Sequence, residues 1–236
     1  NTLARSSPVQ VGLLANWKQV SASGVNLTAA VKTDGTLWAW GDNTSGSLGL
    51  GDTVGRSSPV QVGLLTNWKQ VTVTGSSTTS GVVALKTDGT LWAWGDNTSG
   101  RLGLGDTAHR SSPVQVGSLA DWTQGLAGNN HVLAVKTDGT LWSWGLNSSG
   151  QLGLSDVTNR SSPVRVGALT TWAEVGAGIN HTLAVKTDGT LWAWGFNGSG
   201  QLGLGDTASR SSPVQVGSQG NWRKVIVGGN TSMVIR

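Results

Sequence analysis

Apolar and polar residues alternate through "TLWAWG", so Trp38 and Trp40 share one face of a strand while Leu37 and Ala39 share the other. The alternation returns with Trp92 and Trp94, with Trp142 and Trp144, and with Trp192 and Trp194. Around the first copy the pattern predicts four strands, at Trp17 to Ala22, Leu27 to Lys32, Thr36 to Gly41 and Ser58 to Gly63. The last carries a proline near its start, which cannot donate to a ladder and so belongs at a sheet edge. Asp34-Gly35 separates the second strand from the third, and the pair recurs at Asp88-Gly89, Asp138-Gly139 and Asp188-Gly189. It predicts a tight type I′ hairpin turn, with positive φ at both central residues.

The pattern is periodic on a longer scale. Prolines stand at 8, 59, 113, 163 and 213 and one set of tryptophans at 17, 68, 122, 172 and 222, both with spacings of 51, 54, 50 and 50. From the Lys of each "KTDG" to the following Pro the distance is always 27, whereas from Pro to the next such Lys it is 24, 27, 23 and 23. Length therefore changes only between the first-strand Trp segment and "KTDG". Four-stranded units of about 50 residues predict an all-β fold, a β-propeller of four complete blades plus a partial fifth built from the termini, in one domain over residues 1–236. Each Trp pair would fill the wedge between one blade and its neighbour, each ring burying roughly 150 to 250 Å². An aromatic platform for carbohydrate or bases is the functional alternative for the same residues.

With 37% hydrophobic residues the composition is that of a globular domain. No apolar stretch reaches the roughly 20 residues of a spanning helix, so no membrane insertion is expected. "NTLARSSPVQ" has no basic start followed by an apolar run and no initiating Met, so neither signal peptide nor anchor is expected, and the chain is expected to be processed or a segment of a longer one. The absence of cysteine removes disulfides and thiolate chemistry and leaves extracellular, virion and cytoplasmic settings all compatible. A net charge of +4 invites a nucleic-acid reading, yet nine of the sixteen basic residues sit at two repeated positions, the Lys of "KTDG" and the Arg of "RSSP", spread around the molecule.

"TDGTLWAWG", followed by "NTSGSLGLGD", "SPVQV" and, in later copies, "GAGINHTLAV", resembles the regulator of chromosome condensation repeat family. Gly150 to Gly153 and Gly200 to Gly203 carry Gly-Gln-Leu-Gly, and Ala127 to His131 and Ala177 to His181 carry Ala-Gly-x-x-His, in the family's order. The resemblance implies a propeller, commonly of seven blades, and brings with it nucleotide exchange on a small GTPase and chromatin binding. The acidic exchange face and inserted wedge on which that exchange depends have no counterpart in this sequence. The first two units also depart from the pattern, with Thr28 at the His position in one and an expanded "SSTTSGV" from Ser76 to Val82 in the other. A ring closed by the two termini would still lack one hairpin strand, so the chain is either part of a larger propeller or a ring closed in another way.

In such a meander the loops joining strands one to two and three to four emerge on one face and the Asp-Gly turns on the other. All the length variation falls on the first face, which is where a binding surface is expected. Its candidate contact residues are Ser76, Ser77, Thr78, Thr79, Ser80, Arg101, His109, Asn129, Asn130, His131, Asn180 and His181. Catalysis has little material. Of twelve carboxylates four lie in the Asp-Gly turns, Asp52, Asp106, Asp156 and Asp206 share one loop position, Asp42 and Asp96 another, and only Asp121 and Glu174 remain. No catalytic residue, cofactor or metal site is expected, and His131 and His181 read as loop hydrogen-bonders rather than ligands or bases. Calcium on the Gly- and Asp-rich loops lacks the acidic alternation of an EF-hand. Asn43-Thr44-Ser45 and Asn197-Gly198-Ser199 match a glycan-acceptor pattern within ordinary turns. The favoured reading is a non-enzymatic scaffold binding a protein or glycan, with adhesion or virion attachment among its settings. The alternative is a regulator acting through nucleotide exchange or nucleic acid.

Overall fold

The computed structural model describes residues 7, 10, 11, 15–22, 26–75 and 80–236. Four four-stranded antiparallel sheets follow one another in sequence. They comprise β1 (Trp17–Ala22), β2 (Leu27–Lys32), β3 (Leu37–Gly41) and β4 (Arg56–Gln61); β5 (Trp68–Gly75), β6 (Ser80–Lys86), β7 (Leu91–Gly95) and β8 (Arg110–Gln115); β9 (Trp122–Ala127), β10 (His131–Lys136), β11 (Leu141–Gly145) and β12 (Arg160–Arg165); and β13 (Trp172–Ala177), β14 (His181–Lys186), β15 (Leu191–Gly195) and β16 (Arg210–Gln215). A two-stranded sheet of β17 (Lys224–Gly228) and β18 (Thr231–Ile235) completes the described strands. The first strands of all five units converge on an axial cavity of about 180 Å³, where Ala22, Gly75, Ala127, Ala177 and Gly228 keep the crowded centre free of bulk. The N-terminal segment expected to join the fifth unit falls largely outside the described residues.

Each blade joint is one apolar cluster with a fixed make-up. Leu37 and Ala39 of β3, with Leu48 from the following loop, meet Trp68, Val71, Ala84 and Trp94 of the next blade. The same arrangement brings Leu91, Ala93 and Leu102 to Trp122, Ala134 and Trp144, and Leu141 and Val166 to Trp172, Ala184 and Trp194. The alternation of the third strand thus places one face forward and the other backward, as the sequence pattern requires. Within the indole pair the two rings differ in depth. Trp94, Trp144 and Trp194 are fully buried, whereas Trp40 and the outer rings, Trp38, Trp92, Trp142 and Trp192 at the hairpin-turn end of each strand, are half-buried. The outer rings meet the first-strand Trp nearly edge to face, at 6.2 to 6.3 Å between centroids. Above them lie Lys32, Lys86, Lys136 and Lys186, with Nζ 3.7, 3.7, 4.6 and 3.5 Å from the ring centroid.

Two strand boundaries and one turn type differ from the sequence expectation. Each third strand starts one residue later, at Leu37, because the Thr36 amide and hydroxyl bind Asp34 Oδ1 at 2.9 and 2.7 Å. The fourth strand spans Arg56–Gln61, two residues early, because Arg56 pairs with Gly41 across a register shift; Pro59 lies in this edge strand. The hairpin is not type I′: Gly35 has φ +78°, while Asp34 is not among the described non-glycine residues of positive φ. Lys32 pairs with Thr36 around a three-residue loop, with Gly35 N–H donating to Lys32 O at 3.0 Å. Asp34 instead builds a relay, since Trp38 Nε1–H donates to Thr36 Oγ1 at 2.8 Å and the Thr hydroxyl donates to Asp34. Its carboxyl lies below the usual carboxylate range, first through the Thr36 hydroxyl and then through the Thr36 amide. Asp88, Asp138 and Asp188 repeat the arrangement.

Because the inner indole is the buried one, Trp144→Ala is expected to cost about 3–5 kcal/mol in urea unfolding, and Trp142→Ala clearly less. Equal losses at the two positions would contradict this division of labour.

Candidate functional site

The loop-rich face rests on one clamp used four times. In the long loop after each third strand a buried Asn binds both ends: Asn147 Nδ2–H donates to Asp156 O and Oδ1 at 3.0 and 2.9 Å, and Asn147 Oδ1 accepts Leu152 N–H at 3.0 Å. Asp156 Oδ2 then pairs with Arg160 at 2.5 Å. The Thr158 amide first, and the Arg160 guanidinium after it, hold the Asp156 carboxyl below the usual carboxylate range. Asn43 with Asp52 and Arg56, Asn97 with Asp106 and Arg110, and Asn197 with Asp206 and Arg210 repeat the clamp. These carboxylates are occupied by side chains of the protein. Among the described residues no three His, Cys, Asp or Glu side chains gather as a metal site. The amides of Asn43 and Asn197 are buried in the clamp, so the folded chain does not present them as glycan acceptors.

The two loop histidines link neighbouring blades. His131 Nε2 lies 3.1 Å from Thr182 Oγ1, and the Thr182 hydroxyl donates to Gln151 O at 2.9 Å. His181 Nε2 lies 2.9 Å from Ser232 Oγ, whose hydroxyl donates to Gln201 O at 3.0 Å. Each hydroxyl has only one proton to give, so the His Nε2–H is the donor in both relays. Burial pushes His131 down to about 3, aided by the charge of His181, and pushes His181 down to about 4. Thr182 and Ser232 escaped the sequence reading, because nothing in a strand pattern marks a hydroxyl that serves the preceding blade.

The candidate contact residues separate by exposure. Ser76, Ser77, Thr78 and Thr79 lie outside the described residues. Ser80, Arg101, His131 and His181 are buried, which corrects their selection as surface contacts. Ser80 opens β6, and its carbonyl accepts the Ser47 hydroxyl. Arg101 Nε–H donates to Thr98 O at 3.1 Å, and its guanidinium lies 3.6 Å from Asp96. Asn129, Asn130 and Asn180 are half-buried at the loop tips, with Asn130 O accepting the Leu146 amide at 2.8 Å. His109 is 54% exposed by side chain; its Nδ1 accepts the Asn97 amide at 2.9 Å and lies 3.3 Å from Asp96. Asn159 and Ser209 accept the equivalent amides, so position 109 has a shared structural duty and an outward ring. Phe196, exposed on this same face, was missed because a single aromatic in a Gly-rich loop carries no periodic signal.

The basic surplus is also placed. The Arg of each described "RSSP" copy is paired to a clamp Asp, and the Lys of each "KTDG" is buried against indoles. This removes the repeated cations from any phosphate-binding stripe. No helix among the described residues is long and apolar enough to cross a membrane.

The comparisons with known proteins agree on one repeat. A model of the regulator of chromosome condensation (RCC1) repeat matches residues 34–81, 88–135, 138–185 and 188–235. Over 123 residues the chain is 35% identical to the human X-linked retinitis pigmentosa GTPase regulator, covering 50% of this chain and 12% of that protein. Over 93 residues it is 34% identical to the Arabidopsis thaliana ultraviolet-B receptor UVR8, covering 39% of this chain and 21% of the receptor. Human WBSCR16 superposes with a TM-score of 0.79 at 23% identity, over 94% of this chain and 58% of that one. Prp20p of Saccharomyces cerevisiae gives 0.79 at 24% identity, over 94% and 57%. The chain thus spans less than two thirds of the solved propellers it resembles, and a smaller share of the curated relatives.

The neutral histidines make stability depend on pH. The unfolded chain protonates His131 near 6.5 and the folded chain only near 3, so unfolding takes up a proton between these values. Stability is complete above pH 6.5 and falls as pH drops, by up to about 1.4 kcal/mol per pH unit from this residue. Urea titrations between pH 7 and 5 should show a shallower slope for His131→Gln than for the wild type; parallel slopes would refute the assignment.

Proposed function

Because the chain belongs to the regulator of chromosome condensation repeat family, we propose that it is a non-enzymatic propeller that presents its loop-rich face to a protein partner. The observation that carries this reading is where the near-identical repeats differ in length. Clamps, hairpin turns and indoles are repeated residue for residue. All changes in length, the expanded 76–79 segment above all, fall on the loop face, which also varies in residue at Asp42, Asp96, Leu146 and Phe196 and at Gly55, His109, Asn159 and Ser209; the linkers before each first-strand Trp, on the other face, vary in residue at constant length. Rigid scaffolds with variable loops are built for recognition. A protein partner suits a face that offers an exposed Phe, a half-exposed His and loop amides. The yeast propeller Prp20p has described binding properties toward Gsp1p and histones, which accords with protein recognition by this architecture. A glycan partner has no comparable support.

The regulator reading, with nucleotide exchange or nucleic-acid binding, competes less well, since the repeated Arg and Lys residues are engaged within the fold. Cross-linking of the tagged chain in a lysate of its source, read by mass spectrometry, tests the choice of face. A His109→Glu/Phe196→Glu variant is expected to lose the partner at least about tenfold, and Leu119→Glu on the opposite face to retain it. Loss only with Leu119→Glu, or retention on duplex DNA that weakens log-linearly with salt, would reject the proposal.

A further inference from the structure

The "KTDG" lysines lie against the blade indoles, and their ammonium groups are held differently. In the third blade Lys136 Nζ lies 3.2 Å from Asp121 Oδ2 and 4.6 Å from the Trp142 ring centroid. Asn67 takes the place of Asp121 in the second blade, since each immediately precedes the first-strand Trp. There Lys86 Nζ lies 3.7 Å from the Trp92 centroid and 4.9 Å from that of Trp68. Lys86 is 5% exposed, and its ammonium makes no hydrogen bond or ion pair with any described residue. The indole faces attract the cation but offer its three N–H donors no oxygen. Burial lowers the ammonium below the ordinary lysine range, against the opposing charge of Asp88.

This lysine lines a groove of about 420 Å³ between the first and second blades. Leu50, Val62 and Leu65 contribute from the first blade and its linker, and Trp68, Trp92 and Pro113 from the second. The volume lies within the range of ligand clefts, roughly 300 to 1,000 Å³, and one convergent charge on apolar walls is their usual make-up. The groove sits at the hairpin-turn end of the joint, where Trp92 Nε1–H donates to Thr90 Oγ1 at 2.9 Å, and not on the loop face.

The later joints depart from it. Asp121 neutralises Lys136. Beside Lys186, Arg165 replaces Gln61 opposite the outer Trp of the preceding blade, and its guanidinium donates to Ala168 O at 2.8 Å, bringing a second cation. The first joint is thus the one that combines an open apolar groove with a single buried cation lacking a carboxylate.

We propose that this groove binds a small aromatic monocarboxylate, with its carboxylate on Lys86 Nζ and its ring among Leu50, Leu65 and Pro113. Charge and shape select the class. One buried ammonium balances one negative charge, whereas a phosphate dianion would leave charge uncompensated among apolar side chains. The carboxylate accepts the N–H donors that the indoles leave unused, and the ring removes apolar surface from water. The site stands apart from the loop face and does not rest on the protein-partner reading.

The test titrates naphthoate into the 236-residue chain by calorimetry and follows the indole N–H signals by nitrogen-edited NMR. Saturable binding is expected, with the Trp68 and Trp92 signals shifting and those of Trp142 and Trp192 unmoved. Naphthamide keeps the rings and loses the charge, and should bind at least about tenfold more weakly. Lys86→Met keeps the apolar stem and should abolish binding. Asn67→Asp leaves the lysine in place and supplies the carboxylate that Asp121 gives Lys136; it should weaken binding at least about tenfold by internal competition. His109→Glu should leave binding intact, so that failure here and failure of the loop-face reading are told apart. No saturable binding, equal affinity for the amide, indifference to either groove variant, or shifts spread evenly over Trp92, Trp142 and Trp192 would overturn the proposal.

Discussion

The inner indole of each third strand is the joint on which the fold depends. In β7, β11 and β15 it fills the wedge between two sheets, it is buried to its last atom, and its only polar atom is satisfied by a carbonyl of the preceding blade's loop. Burying a ring of this size supplies the apolar contact, while the hydrogen bond fixes the neighbouring loop and prevents a costly orphaned donor. Gly49, Gly103 and Gly153 follow from the ring, since a side chain there would occupy the space of the indole nitrogen. In the joint between the third and fourth blades the relay from His131 through Thr182 ends on Gln151 O, the same carbonyl that the Trp194 indole binds, so the loop and the wedge are fastened there at one point.

That arrangement separates the molecule into parts with different duties. The hairpin turns and outer indoles form a closed network of Asp, Thr, Trp and Lys on one side. On the other side the clamps of Asn, Asp and Arg hold long loops rigid while leaving their tips free to differ. The cost of ordering those loops is met within the fold, and a partner need not meet it again. Exposed salt bridges of this kind add little stability singly, so the value of the clamp is geometric.

The strand order and the forward and backward faces were legible because a period of two and a period of about 50 survive in the sequence. Depth was not. Trp142 and Trp144 obey the same parity, and only the position along the strand decides that Trp144, beside the preceding blade's loop, is buried and Trp142, nearer the hairpin turn, shares its face with Lys136. The turn was misread by one residue because Asp-Gly also suits a three-residue loop, and the deciding group is the hydroxyl of Thr36. His131 and His181 were taken for surface residues since a Gly-rich loop gives no sign that its end folds into a joint. The clamp partners Asn147 and Asp156 stand nine residues apart in a loop, a separation that no helix or strand period reveals.

Indole Nε1–H exchange, followed by nitrogen-edited NMR, reaches the central joint directly. The protons of Trp94, Trp144 and Trp194 should be the slowest of the thirteen and exchange only with global unfolding, well after those of the outer indoles bound to Thr36, Thr90, Thr140 and Thr190. Exchange of these three at the rate of the outer set would show that the wedge is not what holds the blades together.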